Sequence, residues 1–229
     1  ILLDGRRVTD IDLSSVQWSA IPLAGIERIE ILRGTGAVLY GDGSSAGVIN
    51  IVSRSPLKQG AALEAFGRVA TFNTREGQLY GSHSSGKPGG SFGINASAYG
   101  FASDGYRVNN RNQQQNNTAS LRWAFGDTTL DLRAATDSQD LRLPGARRIQ
   151  PSIGLNEYVA DPRGAQTPLD YASRDGKRAG LALGQRLGDA ELSVGLDWRQ
   201  KDQRSYFDQS GFPTSRADGL EVTSLTPRL

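Results

Sequence analysis

Cysteine and methionine are absent from this sequence, and histidine occurs once, at His83. Without cysteine these residues can form no disulfide, no thiolate metal site and no thiol nucleophile. A single histidine is too few for an imidazole metal cluster and leaves most general-base schemes without a base. We therefore expect a protein that is not an enzyme and that holds no metal or cofactor of its own.

The net charge is small, and long apolar runs are absent. The chain has 26 Lys and Arg against 24 Asp and Glu, a net charge of +2, so it lacks the basic field that binds nucleic acid. No stretch approaches the roughly 20 apolar residues of a membrane helix. A membrane β-barrel stays possible, because its strands need only alternate over about 10 residues. The chain begins Ile-Leu-Leu-Asp with no signal peptide, so we expect a piece of a longer protein.

The most distinctive stretch runs from Ile26 to Pro56. Two β-branched runs, within 26–32 and 48–52, predict buried strands on either side of a tight loop. Glycine recurs around that loop, at Gly34, Gly36, Gly41, Gly43 and Gly47. The loop lacks the lysine of a phosphate-binding loop and is followed by a strand pattern, which disfavours nucleotide binding.

The residues before this stretch predict smaller elements. Asp4-Gly5 is a turn dipeptide between two short strands, which predicts a hairpin. A short helical turn is expected near Pro22 and Leu23, just before the first strand. Three aspartates, Asp4, Asp10 and Asp12, are close in sequence but lack the glycine and distal glutamate of a calcium loop. We expect them to be solvated.

From about Leu63 the sequence alternates between apolar and polar residues with period two. Short connections of tight-turn composition, such as Gly126-Asp127 and Gly188-Asp189, alternate with long polar ones at about 102–117, 137–177 and 201–219. This pattern predicts about eight antiparallel strands with turns at one end and loops at the other, as in an outer-membrane barrel.

A soluble β-sandwich also alternates and is the main structural alternative. Two features favour the barrel. The polar face carries charges at strand centres: Arg122, Asp131, Arg133 and Asp197. Trp123 and Phe125 also precede a short turn, where a barrel has an aromatic girdle.

The ordered motifs of the first 56 residues resemble the end of the plug domain of TonB-dependent outer-membrane receptors. They read Ile26-Glu-Arg-Ile-Glu-Ile-Leu-Arg-Gly34, then Leu39-Tyr40-Gly41, then Gly47-Val-Ile-Asn-Ile51. Thr35 departs from the proline that many relatives carry. The resemblance implies a mainly β fold: an α+β plug remnant at 1–56, then antiparallel transmembrane strands at 57–229, the N-terminal part of a barrel that has 22 strands in outer-membrane transporters.

The resemblance also implies a function. It implies a receptor in the outer membrane of a Gram-negative cell that actively imports a scarce nutrient chelate, most often a ferric siderophore and otherwise cobalamin or another bulky solute. Metal would enter only as part of that chelate. The implied partners are TonB with ExbB and ExbD, through a box expected upstream of Ile1, together with outer-membrane lipid and lipopolysaccharide. The alternatives are a passive porin or adhesin, although a porin has no glycine-rich plug before its first strand, and a soluble β-rich carbohydrate-binding module.

Two sets of candidate site residues follow. A polar plug in a polar lumen implies charged contacts between plug and barrel, for which the candidates are Arg28, Glu30, Arg33, Arg54, Glu64, Arg68, Asp131 and Arg133. The long loops mix cations and rings that suit an anionic chelate, and the candidates there are Tyr106, Arg107, Arg111, Arg147, Arg148, Tyr158, Tyr171, Tyr206 and Phe207. The alternative partner for the loop arginines is lipopolysaccharide phosphate.

Overall fold

The computed structural model describes residues 1–8, 16, 18–21, 23–34, 47–57, 60–87, 89–209 and 211–228. The described residues form two main β-sheets. The predicted glycine loop at 35–46, with its disfavoured nucleotide site, and the aspartates Asp10 and Asp12 lie outside the described residues.

The first sheet has four strands in the order β2-β1-β4-β3. Strand β1 (Leu2–Leu3) pairs antiparallel with β2 (Arg6–Arg7) and parallel with β4 (Gly47–Ser53), which in turn pairs antiparallel with β3 (Ile26–Arg33). The predicted hairpin is therefore present. Two 3₁₀ turns, Trp18–Ala20 and Leu23–Gly25, precede β3, and the second is the predicted helical turn.

The prediction that both strands beside the loop are buried is wrong for β3. Val48 and Ile51 on β4 are 7% and 3% exposed, whereas Ile29 and Ile31 on β3 are 57% and 67% exposed. The physical reason is position. Strand β4 lies between two neighbours, and β3 is the edge strand, whose one described strand partner is β4.

The second sheet has eight antiparallel strands in the order β14-β13-β12-β9-β8-β7-β6-β5, and we call it the wall. It confirms the predicted class of fold and number of strands. Its strands are β5 (Ala62–Ala70), β6 (Thr74–Lys87), β7 (Gly90–Ser103), β8 (Asn112–Phe125), β9 (Thr128–Arg142), β12 (Tyr171–Leu187), β13 (Ala190–Gln209) and β14 (Phe212–Arg228).

The connection between β9 and β12 contains short elements of its own. These are the paired strands β10 (Ile149–Gln150) and β11 (Leu155–Asn156), a 3₁₀ turn at Pro151–Ile153 and a one-turn helix α1 (Glu157–Ala160). None of the helices in the described part of the chain is long and apolar enough to cross a membrane.

The predicted loop boundaries were too wide. Strand β9 continues to Arg142 and β12 starts at Tyr171, and β13 and β14 stay paired as far as Gln209 and Phe212. The predicted loop at 201–219 is therefore mostly a hairpin. Composition misplaced it because backbone hydrogen bonds hold a strand pair together even where both faces are polar.

The wall has one apolar and one polar face, and the apolar face is the exposed one. A row of register neighbours on the apolar face consists of Ile94, Leu121, Leu132, Leu181, Leu196 and Leu225. Leu181 is 41% exposed and Leu225 68%, whereas Asn116 and Asp131 on the polar face are 1% and 9% exposed. A water-soluble sandwich would have the opposite burial. The described residues of the N-terminal segment, residues 1–56, contact the polar face through Arg6, Arg54 and Ala20.

An arginine on the apolar face should block assembly, and one on the polar face should not. In the full-length protein we expect Leu181→Arg to cost about 2–4 kcal/mol where its apolar face contacts lipid near the bilayer midplane, and to lower the amount of folded protein in membrane fractions, measured by heat-modifiable mobility. Ala182→Arg is the matched control, because this residue lines the polar side near Asp131. Equal loss in both variants would contradict the assignment of faces.

Candidate functional site

The turn between β1 and β2, which we call the N-terminal turn, presents an acid, a glycine and a base in succession, Asp4, Gly5 and Arg6. Its central residues have φ of 51° and 73°, the left-handed geometry of a tight two-residue hairpin. The Asp4 carboxylate accepts hydrogen bonds from the Ser53 N–H and hydroxyl, each at 2.8 Å. The side chain of Asp4 is only 15% exposed, so the prediction that it is solvated is wrong. It ties the turn to the end of β4.

The wall presents a complementary row to this turn. Arg133 on β9, Gly180 on β12 and Asp197 on β13 are register neighbours, and we call them the wall row. Asp4 Oδ2 lies 3.3 Å from Arg133 Nη1, and the Arg6 guanidinium pairs with the Asp197 carboxylate. The acid and the base of the turn therefore face a base and an acid of the wall.

The absence of a side chain at Gly180 leaves space for the ion pair between Arg6 and Asp197. A Cβ at that position would lie 2.7 Å from Asp197 Oδ1 and 2.8 Å from Arg6 Nη1. Both distances are below ordinary van der Waals contact, so a larger residue would push the ion pair apart.

A second contact joins the end of the N-terminal segment to the start of the wall. Arg54 Nη1 donates to Glu64 Oε1 at 2.6 Å, and its guanidinium carbon lies 4.5 Å from the centre of the Tyr80 ring. The hydrogen bond to Glu64 raises the pKa of Arg54. Asn95 Nδ2 donates to the Arg54 carbonyl at 2.9 Å. Arg54 is thus held by a charge, a ring and a backbone contact.

A third contact fixes the 3₁₀ turn Trp18–Ala20. The Ser19 carbonyl accepts hydrogen bonds from Gln114 Nε2 at 3.0 Å and from the buried Asn116 amide. Arg178 Nη2 donates to the Ala20 carbonyl at 2.6 Å. These wall residues supply donors to the carbonyls of a turn too short to satisfy them internally.

A cavity of about 660 Å³ lies between the N-terminal segment and the wall. Asp137 and Arg174 line it, and they form a buried ion pair with side-chain exposures of 4% and 10%. Gly176 is required beside them, because a Cβ there would lie 2.5 Å from Asp137 Oδ1. The interface therefore contains buried charge beside buried apolar residues such as Ala20 and Ile21.

Arg54 and Glu64 are the two predicted plug–barrel candidates that meet each other across the interface. Arg133 also crosses it, but its partner is Asp4. Two other candidates pair within the wall: Arg68 with Glu76 at 2.8 Å, and Asp131 with Arg122 at 2.6 Å.

The remaining three candidates lie on the exposed strand β3. Arg28 Nη2 lies 2.7 Å from Glu30 Oε1, and Asn50 Nδ2 donates to Glu30 Oε2 at 2.9 Å. The hydrogen bonds from Asn50 and Arg28 lower the pKa of Glu30. Arg33 is exposed at the end of the strand. Arg28 also lines a cavity that Asp131 and Arg133 of the wall line.

The loop arginines are mostly engaged with the protein itself. Arg107 donates to the carbonyls of Gly145 at 2.7 Å, Gly164 at 3.0 Å and Pro144 at 3.2 Å. Arg147, with 8% of its side chain exposed, donates to the carbonyls of Glu157 and Asp161.

Two further loop arginines pair with carboxylates. Arg148 Nε donates to Glu157 Oε1 at 3.0 Å, and Arg111 Nη2 lies 3.3 Å from Asp140 Oδ1. The backbone N–H and guanidinium of Arg148 lower the pKa of Glu157. Much of the cationic charge predicted for a ligand is therefore balanced internally.

The candidate rings lie in different places. Tyr106 is 46% exposed and contacts Phe72 edge-on at 5.7 Å, and Tyr158 is 53% exposed on α1. Tyr171 and Tyr206 stack at 6.2 Å on the same face as Leu181 and Leu196, by strand alternation. Phe207, 36% exposed, alternates to the opposite face.

Sequence reasoning missed Arg6, Gln114, Asn116, Arg178 and Asp197 as contacts between segment and wall. Asp197 carries a sequence signal as a charge on the polar face of an alternating strand, whereas Gln114 and Asn116 fall within the loop predicted at 102–117. Among the described residues, no group of three or more His, Cys, Asp or Glu side chains is placed to hold a metal ion.

Comparison with known proteins gives matches for both parts of the chain. Residues 1–48 match the TonB-dependent Receptor Plug Domain family. The Vitamin B12 transporter BtuB of Vibrio vulnificus is 28% identical over 263 aligned residues, which cover 97% of this chain and 42% of the transporter. The Ferrienterobactin receptor of Escherichia coli is 38% identical over 64 residues, which cover 24% of this chain and 9% of the receptor. The chain spans less than half the length of these curated relatives.

Solved structures share the fold. The ferric citrate transporter FecA in its unliganded form has a TM-score of 0.78 at 20% identity, with 99% of this chain and 34% of FecA covered. The pyoverdine receptor FpvA of Pseudomonas aeruginosa PAO1 has a TM-score of 0.72 at 14% identity, with coverages of 99% and 35%. These matches confirm the resemblance found in the sequence: residues 1–48 match the plug domain of TonB-dependent receptors, and the chain is similar to such receptors in sequence and in fold.

Proposed function

We propose that this chain belongs to an outer-membrane receptor that imports a bulky metal chelate by active, TonB-coupled transport in a Gram-negative cell. The observation that carries the proposal is the placement of the N-terminal segment. It is held by complementary charges on the polar face of a wall whose other face is apolar and exposed. A barrel with a filled lumen needs this arrangement, because lipid covers its outside.

Residues 1–56 act in this proposal as the plug and residues 57–229 as part of the barrel. Polar contacts suit a plug that must shift, because ion pairs and hydrogen bonds exchange with water at a small net cost. An apolar interface of the same size would resist opening, because every exposed square ångström costs free energy. TonB, energised by ExbB and ExbD, supplies the work.

The substrate class follows from what the relatives have in common. The names of the relatives include a vitamin B12 transporter and receptors for ferric chelates. Each of these solutes holds a metal inside a larger organic ligand. We propose a ferric siderophore as the first substrate to test and cobalamin as the second, with the metal carried only within the chelate.

The apolar face of the wall, at the end near the long connections, carries side chains that suit lipopolysaccharide. Arg142 lies over the Tyr171 ring at 5.2 Å, and Tyr171 stacks on Tyr206. Rings with a polar tip favour a membrane boundary, and a guanidinium suits phosphate. We propose that this group meets the outer leaflet.

The energy coupling can be tested by uptake in a host that lacks its own receptors for these solutes. The full-length receptor should accumulate radiolabelled ferric enterobactin, ferric citrate or cyanocobalamin, and deletion of TonB should reduce accumulation to background. A passive porin would let solute in equally with or without TonB. Uptake that does not depend on TonB would contradict the proposal. Failure to take up any of the three probes would also contradict it.

Reversal of one ion pair tests how the plug is held. Asp4→Arg places two cations together at the wall row, so the plug should loosen and sensitivity to the bulky antibiotic vancomycin should rise. Arg133→Asp should act alike by pairing two acids. The double variant restores opposite charges, so its vancomycin sensitivity should return toward that of the unmodified protein. The coupling free energy between the two residues is expected to be on the order of 1 kcal/mol for such a partly buried pair. If the two single effects simply add, the pair does not hold the plug.

A further inference from the structure

The long connections at the loop end of the wall are tied to one another. They comprise residues 104–111, residues 143–170 and the end of the β13–β14 hairpin, which together we call the rim unit. The Asp170 carboxylate accepts a hydrogen bond from the Asp208 N–H at 2.7 Å, which joins the second connection to the hairpin. Asp170 is 5% exposed, so this contact is shielded from water.

Side chains of the first connection, residues 104–111, donate hydrogen bonds to backbone carbonyls of the second, residues 143–170. Arg107 reaches the carbonyls of Pro144, Gly145 and Gly164, as described above. Two residues later the Asn109 amide lies within hydrogen-bond distance of three further carbonyls: Thr167 at 2.8 Å, Asp170 at 2.9 Å and Leu143 at 3.2 Å. Asn109 has a φ of 55°, a left-handed conformation that asparagine tolerates better than most residues.

The backbone joins the same two connections. The Val108 N–H donates to the Arg163 carbonyl at 2.7 Å, and Arg163 Nε donates to the Tyr106 carbonyl at 3.0 Å. If the two connections separated, a guanidinium, an amide and the facing carbonyls would all lose their hydrogen-bond partners at once. Such groups are costly to leave unpaired when partly buried.

We propose that the rim unit captures the chelate as one preassembled body, with Arg107 and Asn109 as positioning residues that lock it rather than as ligand contacts. The inference rests on the proposed function, since it assumes that a chelate is bound at this end of the barrel. Preassembly lowers the entropy lost on binding, because the connections are already ordered. Loop arginines whose acceptors lie within the protein fix the shape of the rim unit, and the exposed side chains of the unit contact the chelate.

A reversible cross-link inside the rim unit tests the proposal. Val108→Cys with Arg163→Cys in the full-length receptor places thiols on two residues that a 2.7 Å backbone hydrogen bond joins, and a disulfide forms only between residues that lie this close. The 229 residues contain no other cysteine. The probe is whichever of ferric enterobactin, ferric citrate and cyanocobalamin the unmodified receptor takes up.

Oxidised and reduced forms of this variant should take up the probe at rates within about twofold of each other, because a unit that moves as one body needs no internal opening. The reduced protein is its own control. A drop of tenfold or more on oxidation, reversed by dithiothreitol, would show that the two connections must separate and would overturn the proposal.

Arg107→Ala should raise the Kd for the same probe by about tenfold or more, the effect of losing preorganisation rather than a ligand contact. Arg216→Ala is the matched control, an exposed arginine of the wall paired with Asp218, and its Kd should stay within about twofold of the unmodified value. Oxidation of the cysteine pair in the Arg107→Ala background should restore affinity, because the disulfide replaces the lock. Equal losses in both alanine variants, or no recovery on oxidation, would contradict the proposal.

No uptake of any probe by the unmodified receptor contradicts the proposed function. Uptake that depends on TonB but stops on oxidation of the cysteine pair contradicts only the rim inference. If Arg107→Ala fails to assemble in the membrane, the cross-link in the otherwise unmodified receptor still decides the question.

Discussion

The crossed charges between the N-terminal turn and the wall row are the contact on which the placement of the segment depends. Asp4 faces Arg133 and Arg6 faces Asp197. A turn rotated end for end would bring like charges together, so the pattern selects one orientation as well as adding attraction. The Arg54 contact and the Trp18–Ala20 turn then hold the segment at two further places on the same face.

The distribution of polarity explains how such a contact can be both specific and reversible. The buried side of the wall carries Asn116, Asp131 and Asp137, while its leucines are exposed on the other side. Lipid stabilises the apolar face in the proposed function, so the inner contact need not supply the folding energy of the barrel. It is free to consist of hydrogen bonds and ion pairs, which a moving plug can exchange for water.

Period-two alternation and turn composition were enough to predict the class of fold, the N-terminal hairpin and the number of wall strands. They failed where burial or partners depend on distant pairing. The edge position of β3 exposed the isoleucines predicted to be buried, and Ser53 and Arg133 shielded Asp4 from solvent. The residue type of Arg107 was visible in the sequence, but its acceptors are backbone carbonyls up to 57 residues away, which no side-chain pattern records.

Proximity between the N-terminal turn and the wall row is the central claim, and thiol cross-linking measures it most directly. Arg6→Cys with Asp197→Cys in the full-length protein, treated in isolated membranes with a short bifunctional thiol reagent, should give an intramolecular cross-link in high yield. Arg6→Cys with Leu196→Cys should give none, because the neighbouring residue points to the opposite face of β13. Equal yields for the two pairs, or none for either, would contradict a plug seated on the polar face of the wall.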